Sequence, residues 1–138
     1  MIQTKLLEIF PGEGFAVQNI THLVNDYITS VGIQQGQLLA YYKHTTGSIF
    51  IGEHEPGIIA DIEKVFESIT PKDGNYFHHQ RHVDYNGYAH IRAAIMPTSI
   101  TIPIIDGVLA IGTHQEVLVI DNQPEELPRY IVLQVTGE

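Results

Sequence analysis

The sequence predicts an α+β domain in which mainly antiparallel sheets pack around two helices. Two apolar stripes of helical period, at residues 20–31 and 58–69, and a run of alternating strand segments in the last third support this. So does the Asp106-Gly107 pair, a two-residue hairpin signal between two such segments. A chain of 138 residues fits one domain, residues 1–138, and can bury a sizeable apolar core.

Residues 2–10 alternate loosely with β-branched and apolar residues and end at Pro11-Gly-Glu-Gly14, which reads as a first strand and a turn. Ile20, Leu23, Val24, Tyr27, Ile28 and Val31 then form one helical stripe, with Asn19 or Thr21 as N-cap and Gly32 as the stop. His22 falls on its polar side. Gln37–His44 and Ser48–Ile51 are apolar runs of strand length separated by Thr45-Thr46-Gly47. Pro56 suits a first helical turn, and Ile58, Ile59, Ile62, Val65, Phe66 and Ile69 make a second amphipathic helix closed by Pro71.

The segment from Pro71 to His90 has no clean period, and loops this long inside compact domains are usually functional or mobile. Whether His90, Arg92, Ala93 and Ala94 continue as strand or short helix is open from spacing alone. Ser99–Ile105, Val108–Ile120 and Arg129–Val135 are the remaining strands, and Pro103 points to an edge or a bulge.

Sixteen acidic residues against seven basic ones give a net charge of −9, which argues against a protein that grips nucleic acid by neutralising phosphates. A small anion remains compatible, because a few local cations can reverse the field inside a pocket. There is no cysteine, so disulfides and thiolate metal sites are excluded. No apolar run approaches the length of a membrane span, and the expected location is cytoplasmic. Eight histidines are the compositional oddity.

Two segments carry polar groups that folding alone explains least: Lys43-His-Thr-Thr-Gly-Ser48 and Tyr85-Asn-Gly-Tyr-Ala-His-Ile-Arg92. The first presents an imidazole and hydroxyls at a strand kink, or else a hydrogen-bonded turn. Arg92 suits bidentate pairing with phosphate or carboxylate, with Thr45, Thr46 and Ser48 as neutral donors. His90 is the candidate acid/base or ligand. Asn86 either orients it or caps a turn, and Glu53 either points into the site or faces water.

The ordered set His44-Thr-Thr-Gly-Ser48, Glu53, His79, Asn86–Arg92, Ser99–Pro103 and Gly107–Gln115 resembles the YjbQ-like, or UPF0047, family over essentially the whole chain. The resemblance implies a compact α+β fold that assembles as a homotrimer, and an activity described for some members as secondary thiamine-phosphate synthase. In that reaction a pyrimidine diphosphate loses pyrophosphate and is joined to a thiazole phosphate. The resemblance also selects His79 over its neighbours His78 and His82. Gly112-Thr-His-Gln115 stands where relatives commonly have Gly-Thr-Trp-Gln, His82 where they often have an acid, and Arg92 where lysine is usual.

On this pattern the expected catalytic groups are His90, Glu53 and Arg92, and the expected substrate contacts are Thr45, Thr46, Ser48, Asn86, Arg92 and His114. His44, His79 and His90 are expected either to hold a divalent ion, Zn²⁺ or Mg²⁺, or to donate hydrogen bonds to an anion. The expected ligand is a small phosphorylated molecule. A metal-dependent hydrolase and a non-catalytic trimeric binding protein use the same groups differently and stay open.

Overall fold

The structure is a computed structural model describing residues 1–138. Chain order is β1 (Ile2–Ile9), β2 (Ala16–Asn19), α1 (Thr21–Val31), β3 (Gln35–Tyr42), β4 (Gly47–Gly52) and α2 (Pro56–Ile69). There follow a 3₁₀ turn (Phe77–Gln80), α3 (Gly87–Ala94), β5 (Ser99–Ile105), β6 (Val108–Leu109), β7 (Glu116–Asp121) and β8 (Arg129–Gly137). The α+β reading and the two long helices hold, and α3 settles the ambiguous segment at His90 as helix.

The strands form two antiparallel sheets, one ordered β1-β8-β3-β5-β6 and one ordered β2-β7-β4. The expected single strand from Val108 to Ile120 is therefore two strands in different sheets. Gly112–Gln115 breaks it, with the Gln115 side chain accepting from the Gly112 N–H at 2.7 Å. The hairpin turn is as predicted: Asp106 and Gly107 have φ of 52° and 81°, the left-handed pair that a two-residue turn requires. Pro103 lies in β5 opposite Gln37, and its carbonyl accepts from Ala110 on the β6 side. Its nitrogen faces the same way, toward a two-residue strand, so the missing donor costs the β3 ladder nothing.

The core joins the inward residues of both sheets to α1. Leu38, Ala40, Ile102, Ile104, Ile131, Leu133 and Val135 from one sheet meet Ile49, Val117 and Val119 from the other, with Val24, Tyr27 and Ile28 of the helix. Helix α1 starts where Asn19 accepts from the Thr21 N–H and stops at Gly32 with φ 75°. Helix α2 is capped by Glu55, whose two carboxylate oxygens accept from Gly57 and Ile58 N–H, and those bonds hold its pKa below the usual value. Although fourteen residues long, α2 buries Phe66 alone. No helix is long and apolar enough to cross a membrane.

The sheets meet at one end through the β3–β4 link, where Gly47 fits because it lacks a side chain. A Cβ there would lie 2.5 Å from the Ile120 carbonyl, 2.6 Å from Asp121 Oδ2 and 2.7 Å from the Tyr42 ring. Gly47→Ala is expected to lower the urea midpoint of unfolding by the equivalent of about 1–3 kcal/mol, the usual cost of overpacking a close-packed site. Equilibrium denaturation followed by circular dichroism measures it.

Candidate functional site

Asp121 closes the apolar run of β7, and Arg129 opens β8 in register with the inward residues Ile131, Leu133 and Val135. Both are buried, Asp121 at 2% exposure, and Arg129 Nε lies 3.0 Å from Asp121 Oδ2. The carboxylate also accepts from Tyr42 OH at 2.6 Å, Thr46 Oγ1 at 2.9 Å and Gln123 N–H at 2.9 Å. Burial, then the Asp121 charge, pushes the Tyr42 hydroxyl far above the tyrosine range, so it remains a donor. Arg129 Nη2 donates to Thr46 Oγ1 at 2.8 Å, and Nη1 lies 3.2 Å from Nδ1 of His44. A buried ion pair with this many partners meets the condition under which such pairs are tolerated.

This network forms the floor of a cleft of about 330 Å³ lined by Lys43, His44, Thr45, Asn86, His90, Gln123 and Arg129 among others. A second hollow of about 240 Å³ adjoins it, sharing His44, Thr45 and His90 and bounded by Ala93 and Thr98. His90 projects from α3, and its Nδ1 donates to the Thr45 carbonyl at 3.0 Å. A carbonyl only accepts, so Nδ1 carries the proton and the neutral ring keeps its lone pair on Nε2. His78, from the 3₁₀ turn, lies 4.8 Å centroid to centroid from His90 and 4.9 Å from His82, with Nε2 3.3 Å from Asp84 Oδ1. Asn86, at the start of α3, sits 3.1 Å from His78 Nε2 and bridges toward Asp84 and Gln123.

A sequence profile described as "UPF0047 protein YjbQ-like" matches residues 5–138. The chain belongs to the UPF0047, YjbQ-like family. Its curated relatives include a UPF0047 protein of Methanothermobacter thermautotrophicus, 36% identical over 99 residues covering 72% of this chain and 68% of that protein. Another, from Synechocystis, is 28% identical over 127 residues, covering 91% and 86%. A crystal structure of a hypothetical protein from Aeropyrum pernix K1 superposes with TM-score 0.90 at 29% identity over 99% of both chains. A protein of Sulfolobus solfataricus P2, described as YbjQ-like and of unknown function, gives 0.86 at 26% identity over the full length of both.

Within this UPF0047 fold the expected residues divide. His44, Thr45, Asn86 and His90 do line the cleft. Thr46 lines it too, but its hydroxyl is spent between Asp121 and Arg129. Ser48 is buried in β4 opposite Ile120 and reaches no cleft wall.

Arg92 is the clearest correction. It is 2% exposed, stacked between Phe66 and Tyr88, and its nitrogens donate to Thr70 O, Thr70 Oγ1, Asn122 Oδ1 and Glu67 Oε1. It ties the end of α2 to α3 and has no donor turned to the cleft. The guanidinium of the site is Arg129.

The expected metal set is not assembled either. His44 accepts from the Tyr130 N–H at Nε2 (2.8 Å), so the neutral ring carries its proton on Nδ1, 3.2 Å from Arg129 Nη1, and neither nitrogen offers a lone pair to an ion. His79 accepts the Gly87 N–H at 3.0 Å, satisfying the start of α3, and His78 rather than His79 packs edge-on against His90. No group of three or more histidine or carboxylate side chains is arranged to hold an ion. Glu53 and His114 lie 3.9 Å apart at the far end of the β4–β7 pair, about 17 Å from Gly47 by the rise of an extended strand.

Asp121, Arg129 and Tyr42 were missed, although a visible cue existed. An arginine at an inward β position and an aspartate ending a continuous apolar run are both charges the pattern sends inside. His78 and Lys43 carried no such cue.

Two outcomes follow. Arg92→Leu is expected to cost roughly 3 kcal/mol, because the buried Thr70 and Asn122 oxygens lose their donor, and denaturation of the variant checks this. Burial first, and then the Arg129 guanidinium, hold His44 below the ordinary histidine pKa. The unfolded ring therefore takes up its proton near pH 6.5 and the folded ring only at lower pH. Stability from His44 is present above that value and lost as pH falls through the window below it. Urea midpoints at pH 7.5 and 5.5 should differ less for His44→Gln than for the parent chain.

Proposed function

We propose that this chain is a phosphate-handling transferase resembling secondary thiamine-phosphate synthase, working as a homotrimer on small phosphorylated ligands in the His44–His90–Arg129 cleft. The observation that carries this is the fixed tautomer of His90. Its Nδ1 proton is held by the Thr45 carbonyl, which leaves Nε2 as a proton acceptor at the edge of a polar cleft.

Arg129 supports the anion side of the reading. Two of its five N–H groups are donated to Asp121 and Thr46; His44 accepts the Tyr130 N–H at Nε2, so its Nδ1 carries a proton and takes none, and three donors remain for ligand oxygens. Lys43 adds a mobile cation at the rim. Such donors stabilise charge as it builds on a departing diphosphate. Departure of pyrophosphate breaks the C–O bond of the pyrimidine diphosphate, and the thiazole nitrogen forms the new C–N bond. His90 Nε2, which holds the lone pair, accepts a proton from the pyrimidine diphosphate as the C–O bond breaks and returns it once the C–N bond has formed, while pyrophosphate leaves as an anion.

The hydrolase reading through a bound metal is not favoured, because the imidazoles it needs are spent on Tyr130 and Gly87 N–H groups. Purified protein incubated with both phosphorylated precursors should yield the joined product, and His90→Ala should lower the rate by roughly 10²–10⁴-fold, the usual contribution of a positioned acid/base. No product from the parent chain, or an equal trace from His90→Ala, removes the proposal.

A further inference from the structure

The polar cleft opens beside Thr45 and His90 into the smaller hollow of about 240 Å³, and the two differ in what they can hold. Lys43, Asp84 and Arg129 bring charge to the cleft. The hollow has no such group. Beyond the imidazoles of His44 and His90 its walls are Thr45, Ala93, Ala94 and Thr98, so two hydroxyls are its other polar side-chain groups. His90, Ala93 and Ala94 fall at i, i+3 and i+4 of α3, and one face of that helix therefore supplies one wall. Arg92 anchors the helix through Asn122, Glu67 and Thr70. Thr98 stands on the segment before β5, which is tied to both sheets: the Pro97 carbonyl accepts from the Ile49 N–H at 3.1 Å and the Thr98 carbonyl from the Tyr42 N–H at 2.8 Å. Walls held in this way make a hollow that exists before any ligand enters, as small-molecule sites usually do.

Size narrows what fits. A cavity of roughly 150 Å³ is enough to take a benzene ring, whereas drug-sized ligands occupy about 300–1,000 Å³. At about 240 Å³ the hollow admits one six-membered ring with small substituents. The cleft beside it supplies the cations for a phosphate, and both spaces share His44, Thr45 and His90 as wall. A ring joined to its phosphate oxygen by a single carbon spans the two. A nucleotide does not, because the sugar between phosphate and base would take the hollow and leave the base in water.

We infer that the hollow seats the uncharged ring of the ligand, and that Ala94 and Thr98 are specificity-determining residues that set the size of ring admitted beside a phosphate held at Lys43 and Arg129. This division of the ligand rests on the phosphate-handling reading of the cleft and goes beyond it by assigning the side chains that choose among phosphate esters. Esters of one small ring are accepted and nucleotides are refused. Ala93 is buried against the core, whereas Ala94 and Thr98 are exposed. A larger side chain at either exposed position fills the hollow without entering the core.

Calorimetric titration with methyl phosphate, benzyl phosphate and adenosine monophosphate tests this without turnover. The parent chain should bind benzyl phosphate at least about tenfold more tightly than methyl phosphate, the gain expected from partly burying one aromatic ring, and adenosine monophosphate should gain nothing over methyl phosphate. Ala94→Leu and Thr98→Leu, each with far-ultraviolet circular dichroism retained, should bring the benzyl-to-methyl ratio close to one, and either variant decides if the other fails to fold. Lys43→Gln should weaken both esters together and keep the ratio. Equal affinity of the parent for benzyl and methyl phosphate, adenosine monophosphate binding more tightly than benzyl phosphate, or an undiminished ratio in a folded leucine variant overturns the inference. So does a parent chain that binds no phosphate ester at all, an outcome that withdraws the anion seat of the transferase reading as well. Loss of the ring preference with methyl phosphate still bound removes the ring seat alone and leaves that reading standing.

Discussion

The buried pair of Asp121 and Arg129 is the constraint on which the rest of this structure depends. It joins the end of a strand in one sheet to the start of a strand in the other. A carboxylate taken out of water is tolerable only when its lone pairs are filled, and here Tyr42, Thr46 and the Gln123 N–H fill them. Each of those groups is then fixed in turn. Gly47 must lack a side chain because Asp121 and Tyr42 occupy the space, and Thr46 must follow Thr45 so that one hydroxyl faces inward while the neighbouring carbonyl is offered to His90.

The cleft is thus a by-product of satisfying a charge. The His-Thr-Thr-Gly-Ser segment bends where the two sheets separate, and the bend turns His44 onto Tyr130 and Arg129. That leaves His44 a poor base and a poor ligand. His90 differs because one nitrogen is held by a carbonyl and the other is not held at all. Two histidines on facing elements therefore have opposite aptitudes, decided by what each meets at its second nitrogen.

Arg92 and Arg129 show the same logic for cations. Both are buried, but Arg92 is stacked between two rings and surrounded by acceptors from α2 and the Asn122 side chain. It holds α2 and α3 together. Arg129 shares its floor position with a cleft and keeps donors in reserve. Membership of the UPF0047 family fixes the scaffold on which these choices are made, while the chemistry is read from the residues.

What the sequence determined by itself is the set of elements: helical period at α1 and α2, alternation in β3, β5 and β8, and a hairpin at Asp106-Gly107 are local signals carried by side-chain spacing and backbone preference. It also brought His44, Thr45, Asn86 and His90 forward as one group, through the density of polar side chains in two short segments. Only the tertiary structure decided which charge went where. Spacing does not say that the Val108–Ile120 run breaks at Gly112 and changes sheet, that Arg92 faces Phe66 while Arg129 faces the cleft, or that Glu53 and His114 end at the far side of β4. Those outcomes depend on partners distant in sequence, because the cost of burying a polar group is set by whatever it meets there.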